Sequence, residues 1–108
     1  MTLEELWEQA IEEKRLSEEY VDALIAQCPR EVAGLLGSAT HVEIELPNGF
    51  TVGGRAAVIN KDEFDIEIGT KIALRRIKDQ ILQLEGYRLQ QEIYERSVSV
   101  IADAFGSE

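Results

Sequence analysis

The sequence predicts an α+β fold in a single domain, residues 1–108, and three observations carry this prediction. Within the expected β-hairpin at residues 41–59, residues 41–46 and 50–52 alternate apolar and polar side chains, which is typical of half-buried strands. Residues 1–37 and 60–105 instead repeat apolar side chains at helical spacing. The chain also has room for only one hydrophobic core. Strands and helices that occupy separate stretches of one short chain are typical of α+β proteins.

Two helices are expected at the N-terminus. Thr2 opens a capping-box pattern, Thr-x-x-Glu, so the first helix covers about residues 3–14. Ser17 is the N-cap of the second helix, and Pro29 ends that helix because proline disfavours helical backbone at the residue before it. A short helical turn around residues 31–36, closed by a glycine, is expected to complete this part of the chain.

The predicted hairpin turns at residues 47–49. A three-residue loop pairs Leu46 with Phe50 and keeps the apolar side chains of both strands on one face. A two-residue Asn-Gly loop would put Phe50 on the opposite face. The three-residue loop is therefore predicted, with Gly49 in the left-handed conformation.

Two features of the hairpin leave alternatives open. Gly53 and Gly54 interrupt the second strand and indicate either a bulge or sharp twist, or backbone left bare for close approach by a ligand or partner. A lone hairpin is marginally stable in water, so it must be covered by the long helix or pair with the hairpin of another subunit. Together with the small core of so short a chain, this predicts a homo-oligomer, at least a dimer.

One or two further helices are predicted after the hairpin. Asn60 is the expected N-cap of a long helix, with acidic side chains in its first turn, and Gly86 is expected to end it. A final helix is predicted from Tyr87 to about Phe105, with Ile101 among its apolar positions.

The composition excludes several functional classes. The net charge of −10, from 21 acidic and 11 basic side chains, opposes binding to DNA or RNA. This charge serves either solubility or contact with a basic partner. No run of 18 apolar residues occurs, so no membrane segment is expected. Cys28 is the only cysteine, which indicates a reducing compartment.

The residues that enzymes use for catalysis are sparse. His41 is the only histidine, and no Ser/His/Asp set can be built around it. Cys28 lies on an apolar helix face with no histidine nearby in the sequence, as is typical of an unreactive core thiol. Neither metal-ligand spacing nor a glycine-rich phosphate motif occurs. The chain is therefore expected to bind a ligand without catalysis and to need no cofactor.

The basic residues concentrate on the predicted long helix. Lys71, Arg75 and Lys78 share one helical face, and Arg76 lies beside them. These cations either pair with acids of the same helix, such as Glu67, or form an anion site in which arginine grips phosphate.

Two aromatic side chains also have two interpretations. Phe50 and Tyr87 belong to the core by default, since aromatic side chains carry a large apolar surface. If either lies beside the arginines, it offers a face on which a nucleotide base can stack.

Several blocks of the sequence resemble a widespread family of small tailed-phage proteins. The blocks are Leu46-Pro47-Asn48-Gly49-Phe50-Thr51-Val52, then Gly54 and Ala56-Ala57, then Phe64-Asp65-Ile66-Glu67-Ile68-Gly69, and Leu84-Glu85-Gly86-Tyr87. That family includes the Thoeris anti-defence sponges, which hold cyclic ADP-ribose derivatives, and in some cases cyclic trinucleotides of the CBASS pathway, without cleaving them.

The resemblance implies a phage protein that sequesters a cyclic nucleotide signalling molecule in the host cytoplasm, as a dimer or a larger assembly up to a hexamer. The ligand-binding residues expected on this basis are Phe50, Asn60, Lys71, Arg75, Arg76 and Tyr87. The arginines would hold the phosphates. The alternative is a phage accessory protein that binds and inhibits a host protein through its acidic surface.

Overall fold

A three-stranded antiparallel sheet, crossed on one face by a long helix, forms the centre of the protein. The computed structural model describes residues 1–105, and the side chains of residues 1–100. The elements in order are α1 (Leu3–Glu13), α2 (Glu18–Gln27), β1 (Arg30–Leu35), β2 (Ala39–Glu45), β3 (Thr51–Ala57), a 3-10 turn (Lys61–Glu63) and α3 (Ile66–Phe105). The strand order is β1-β2-β3. This architecture confirms the α+β prediction.

The two N-terminal helices begin at the predicted caps. The Thr2 hydroxyl accepts the Glu5 N–H at 3.1 Å, and Glu5 Oε1 accepts the Thr2 N–H at 2.8 Å, which completes the capping box. The Ser17 hydroxyl accepts the Tyr20 N–H at 3.1 Å at the start of α2. The second helix ends just before Pro29. Both helices are therefore confirmed, because their boundaries depend on residues a few positions apart.

The helical turn expected at residues 31–36 is wrong, because this segment forms most of strand β1. Strand β1 pairs with β2 along its whole length. The connection turns at Leu36 and Gly37, whose φ angles are 56° and 67°, and the Ser38 N–H donates to the Leu35 carbonyl at 3.1 Å. Leucine rarely adopts a positive φ, and the usual sequence signal for a two-residue turn of this kind is Asn-Gly. Because this turn is Leu-Gly, the sequence did not indicate it.

The β2–β3 hairpin has the predicted register and loop. Ile44 pairs with Val52, and the Leu46 N–H donates to the Phe50 carbonyl at 2.8 Å. The Gly49 N–H donates back to the Leu46 carbonyl at 2.8 Å, with a φ of 92° at Gly49. The three-residue loop is confirmed, and it keeps the apolar residues of both strands on the face that meets α3.

Substitution of Gly49 by alanine is expected to destabilise the protein by about 1–2 kcal/mol. An added Cβ would meet only Glu45 Oε2, at 3.9 Å, so the cost comes from the left-handed backbone and not from a collision. Urea denaturation of the wild type and of Gly49→Ala measures this difference. An unchanged midpoint would mean that the loop relaxes to another conformation.

The two glycines of β3 lie in regular pairing, so the predicted bulge is wrong. Gly54 pairs with Val42 and Gly53 with Glu43. A Cβ on Gly54 would collide with the Ala73 carbonyl oxygen of α3. The lack of a side chain at Gly54 therefore does permit a close approach. The element that approaches is helix α3 of the same chain. Helix α3 rests on β3 at this point.

Helix α3 begins later than predicted. Asn60 caps only the 3-10 turn, where its side-chain oxygen accepts the Asp62 N–H at 3.0 Å. The cap of α3 is Asp65, whose Oδ1 accepts the N–H groups of Glu67 and Ile68 at 2.9 and 3.3 Å. Asn60 and Asp65 are both capping residues followed by acidic side chains. Only the tertiary structure shows which of them begins α3.

Helix α3 also passes through Gly86 without a break, so of the one or two helices predicted here there is one, and the expected end at Gly86 with a separate further helix is wrong. A glycine inside a helix costs only about 1 kcal/mol relative to alanine. The buried side chains of Ile81 and Leu89, on either side of the glycine, hold both halves of α3 against the core. The expected apolar role of Ile101 lies outside the side chains that the structure describes.

The core lies between the sheet, α3 and the N-terminal helices. Its most buried members include Val42 and Ile44 of β2, Ile77 and Ile81 of α3, and Val21 of α2. The sheet thus has three strands and a helical cover, so an isolated hairpin is no reason to expect an oligomer. Within residues 1–105, no helix combines the length and the apolar character needed to cross a membrane.

Candidate functional site

The two aromatic residues assigned to ligand contact both lie on the surface. Phe50 is 56% exposed and Tyr87 is 74% exposed, so the interpretation of either as a core aromatic is wrong. Phe50 directly follows the β2–β3 loop, and its N–H donates to the Asn48 side-chain oxygen at 3.0 Å. Its ring is therefore presented at the end of the hairpin.

The four basic residues of α3 have different surroundings. Lys71 and Arg75 are exposed, and neither forms an ion pair with another described side chain. Arg76 donates to the Arg55 carbonyl of β3 at 2.8 Å. Lys78 lies 2.9 Å from Asp22 and 3.7 Å from Glu18, both on α2. The predicted pairing with acids of the same helix is therefore wrong for Lys78, whose partners lie on α2.

The expected ligand-binding residues do not converge within one chain. Phe50 and Asn60 lie at opposite ends of β3, about 20 Å apart at the usual strand rise. Arg75 and Tyr87 are separated by about 18 Å along α3. A ligand that contacts all of these residues would need a second subunit.

A different group of side chains is brought together where α1, α2 and α3 meet. The Tyr20 hydroxyl donates to Glu85 Oε1 at 2.6 Å, and Arg88 donates to both Glu85 oxygens at 3.0 Å. The Arg88 guanidinium carbon lies 3.7 Å from the centroid of the Trp7 ring. We call Trp7, Tyr20, Glu85 and Arg88 the polar cluster. It links the N-terminal helices to α3.

Burial and hydrogen bonds determine the ionisation of the polar cluster. Burial and the hydrogen bond to Glu85 raise the pKa of Tyr20 to about 12. Burial opposes the ionisation of Glu85, but hydrogen bonds from Arg88 and Tyr20 outweigh it and lower the Glu85 pKa. The hydrogen bond to Glu85 raises the pKa of Arg88. The cluster therefore contains an ion pair and a neutral phenol at neutral pH.

The raised pKa of Tyr20 leads to a prediction for alkaline pH. Because the folded pKa exceeds the ordinary value of 10.0, Tyr20 stabilises the fold below pH 10 and loses this contribution as the pH rises towards 12. Phenolate absorbance of the wild type should show a late phase that is missing from Tyr20→Phe. Identical titrations of the two proteins would contradict the assignment.

Two grooves meet at the polar cluster. One, of about 260 Å³, lies between the β2–β3 loop and α3 and includes Pro47, Asn48, Tyr20 and Arg88 in its walls. The other, of about 380 Å³, lies beside α1 and shares Tyr20 and Arg88. Arg88 lines both grooves, and its side chain is half-exposed.

The chemistry of this site favours the binding of a planar or anionic group. Both Glu85 oxygens already accept hydrogen bonds, so this carboxylate is not a free base. The Nε and Nη2 groups of Arg88 already donate to Glu85 and Tyr20, so among the described contacts only its Nη1 N–H groups remain to donate to a phosphate or carboxylate. Among the described residues, no group of three or more His, Cys, Asp or Glu side chains could hold a metal ion.

Sequence reasoning missed the polar cluster because each member has an ordinary local explanation. Trp7 and Tyr20 fit the apolar stripes of α1 and α2, and Glu85 is one of many acids. The available signal is the spacing of Glu85 and Arg88, which favours an i,i+3 ion pair. Buried Trp and Tyr side chains also need hydrogen-bond partners.

One comparison with known proteins identifies a relationship. No curated protein and no solved structure shows significant similarity to this chain. Residues 6–93 match the model of the phage protein (N4 Gp49/phage Sf6 gene 66) family. The match covers both the polar cluster and all six expected ligand-binding residues, and it extends over most of the chain. The chain therefore belongs to the phage protein (N4 Gp49/phage Sf6 gene 66) family.

Proposed function

We propose that the protein is a phage anti-defence sponge, which sequesters a nucleotide second messenger in the host cytoplasm without cleaving it. The ligand class is a cyclic ADP-ribose derivative or a cyclic oligonucleotide. The observation that carries the proposal is the exposed ring of Phe50, at the end of a loop whose residues form one wall of a groove with Arg88 in the opposite wall.

The groove suits one part of such a ligand. Its volume of about 260 Å³ lies just below the range of about 300–1,000 Å³ for small-molecule pockets, so it fits one nucleoside unit better than a whole dinucleotide. A base would stack on Phe50 beside the groove, and a phosphate within the groove would meet the Nη1 N–H groups of Arg88. The rest of the ligand would extend beyond the groove.

The exposed cations Lys71 and Arg75 provide the second element of the proposal. Their ammonium and guanidinium groups are not occupied by ion pairs with described side chains, so they remain available for phosphate. Because Lys71 and Arg75 lie on a part of α3 that is far from Phe50, they would contact the ligand from another subunit of a homo-oligomer. Local cations are necessary because the net charge of −10 repels an anionic ligand at long range.

The decisive experiment separates a sponge from an enzyme and from a protein-binding protein. The protein is incubated with a panel of cyclic nucleotides, desalted and heat-denatured, and the released compounds are identified. Release of an intact nucleotide is the expected result. Release of altered products would indicate an enzyme. Absence of retention would favour the alternative, in which the acidic surface binds and inhibits a host protein.

Two substitutions are expected to weaken nucleotide retention. Phe50→Ala removes a stacking contact worth about 1–3 kcal/mol, which corresponds to a loss of affinity of about 5- to 150-fold. Arg75→Ala removes a charge-assisted contact worth about 1.5–3 kcal/mol, or about 10- to 150-fold. Arg15→Ala, which removes an exposed cation between α1 and α2, is the matched control and should bind like the wild type.

Calorimetric titration measures these affinities on the folded variants. Both side chains are exposed, so neither change should unfold the protein. If Phe50→Ala and Arg75→Ala both bind as tightly as Arg15→Ala, the nucleotide site lies elsewhere.

A further inference from the structure

The two outer edges of the sheet differ in how the chain covers them. On β3, the outward carbonyls of Gly53 and Arg55 accept hydrogen bonds from Gln80 and Arg76 of α3, at 2.7 and 2.8 Å. These bonds use acceptors that a further strand would need. On β1, all six residues are exposed, and no hydrogen bond from another described residue reaches the outer edge. Strand β1 is therefore the open edge of the sheet, and it contains neither proline nor a bulge.

The register identifies the backbone groups that β1 leaves unpaired. The Glu45 N–H donates to the Pro29 carbonyl at 3.0 Å, directly before the first pair of β1 and β2. Bonded and non-bonded pairs alternate along antiparallel strands, so the backbone groups of residues 31, 33 and 35 face β2. The outward N–H and C=O groups are those of Arg30, Val32 and Gly34.

The face of β1 towards α3 is apolar beside this edge. Ile66 and Phe64 lie over Gly34, where an added Cβ would be 3.5 and 3.6 Å from their side chains. Val32 lies on the same face, since it pairs with the buried Val42. Val32 and Ile66 are both exposed. Apolar side chains of an added strand would therefore be covered on this face.

The opposite face of β1 carries an unbalanced pair of acids. Glu31 lies directly opposite Glu43 of β2, and like charges in this position repel each other. His41 Nε2 lies 2.8 Å from a Glu43 oxygen, whereas Glu31 forms no ion pair with another described side chain. A cation opposite Glu31 on an added strand would offset this repulsion.

We propose that β1 takes up an extended segment of a partner protein as a fourth, antiparallel strand, and that this segment alternates basic and apolar side chains. Its backbone pairs with the outward groups of β1, as in other proteins that bind a peptide at a sheet edge. Its apolar side chains lie next to Val32 and Ile66, and a lysine or arginine lies opposite Glu31. The antiparallel direction continues that of the sheet and is slightly the more stable per residue.

A second copy of β1 supplies the wrong charges for this edge. The outward groups pair only if even-numbered residues of both copies lie opposite each other. Glu31 then lies opposite an odd-numbered residue of the second β1, which is Glu31, Ala33 or Leu35. None of these is a cation, and Arg30 of the second copy lies on the other face. A basic partner supplies the missing charge and is attracted by the net charge of −10.

This inference does not depend on the proposed nucleotide binding. It uses neither Phe50, Arg75 nor Arg88, and its experiments contain no nucleotide. A protein that retains a nucleotide but binds no peptide at β1, or the reverse, distinguishes failure of one proposal from failure of the other.

The first test follows the backbone N–H groups of β1 by NMR spectroscopy while a synthetic peptide is added. The probe alternates lysine and valine over about eight residues, long enough to span β1. A glutamate–valine peptide of equal length is the matched control. The lysine–valine peptide should slow the hydrogen exchange of Arg30, Val32 and Gly34, which are unpaired in the free protein. The control should bind at least about fivefold more weakly, because it places an acid opposite Glu31.

Two results of this test would overturn the proposal. One is equal binding of the two peptides, or binding that leaves the three outward N–H groups of β1 unprotected. The other is protection of these N–H groups when the protein concentration alone is raised, which would show that a second copy occupies the edge.

The second test removes backbone hydrogen bonds and keeps every side-chain charge. In the proposed strand the valine N–H groups face β1 and the lysine N–H groups face solvent, because directly opposite residues share a face. Methylation of the valine nitrogens should weaken binding at least about tenfold, through the loss of three hydrogen bonds. Methylation of the lysine nitrogens is the control and should leave the affinity unchanged. Equal affinities of the two methylated peptides would contradict the proposal.

A variant of the protein tests the same edge from the other side. Val32→Pro removes an outward N–H that no bond to β2 uses, so the sheet should keep its circular dichroism. It should bind the lysine–valine peptide about 2- to 10-fold more weakly than Val32→Thr, which retains the N–H. If folded Val32→Pro binds the peptide as tightly as Val32→Thr, the peptide does not pair with β1.

Discussion

Substitution of Gly54 by alanine is expected to destabilise the protein by about 2–3 kcal/mol, near the upper end for overpacking a core. The new Cβ would collide with the Ala73 carbonyl oxygen and lie 3.0 Å from Ile77 Cγ1. A backbone oxygen within a helix cannot rotate away as a flexible side chain does. The collision is therefore relieved only if α3 moves off β3, which opens the core at Ile77 and Ile81.

Gly86→Ala is the matched control for this prediction. A Cβ at Gly86 meets no atom within 4 Å, so alanine there should leave stability unchanged or raise it by about 0.5–1 kcal/mol. Urea denaturation of both variants gives the two differences directly. If Gly54→Ala is as stable as Gly86→Ala, α3 does not lie on β3 as closely as the structure places it.

Replacement of Arg88 by leucine is the second change with a large expected effect. Among the described side chains it removes the one cation that binds Glu85, a carboxylate that is 8% exposed. Loss of one member of a buried ion pair costs about 3–5 kcal/mol. Because the Arg88 side chain is half-exposed and partly screened by solvent, we expect about 2–3 kcal/mol. The lost contact with the Trp7 ring contributes to this cost.

The pH dependence of stability identifies the cause of that loss. The Glu85 pKa lies below its ordinary value of 4.5, so this group stabilises the fold above about pH 4.5 and loses that contribution as the pH falls through the folded pKa. In Arg88→Leu, burial without the cation favours the protonated acid, so the destabilisation relative to wild type should shrink as the pH falls.

A double variant separates charge from packing. Glu85→Gln combined with Arg88→Leu leaves no charge within the polar cluster, and it should regain a large part of the stability lost in Arg88→Leu. Chemical denaturation at neutral and acidic pH measures all three proteins. If the double variant is no more stable than Arg88→Leu, the loss arises from packing on Trp7, and the unpaired carboxylate is not its cause.

The parts of the fold that follow from neighbouring residues could be predicted from the sequence. The caps at Thr2 and Ser17, the stop before Pro29 and the three-residue loop with Gly49 each depend on interactions across five residues or fewer. The hairpin register followed from the alternation of apolar side chains, because a shift of one residue would expose that face. These interactions form in the same way whatever surrounds them.

Candidate site residues were only partly predictable. The sequence identified the basic residues of α3 and the two aromatics, but it did not show which of them are free. Lys78 is engaged by acids of α2 and Arg76 by a β3 carbonyl, whereas Phe50 and Tyr87 are exposed. These differences depend on elements distant in the sequence, so spacing within α3 could not reveal them.

The sequence by itself determined the caps of α1 and α2, the β2–β3 hairpin and the α+β class, since local geometry and periodicity specify them. Only the tertiary structure decided that residues 30–35 form a strand, that α3 continues through Gly86, and that Glu85 meets Tyr20 and Arg88. The local preferences against a positive φ at Leu36 and against a helical glycine at Gly86 amount to about 1–2 kcal/mol. Pairing of β1 with β2 and burial of Ile81 and Leu89 outweigh these preferences.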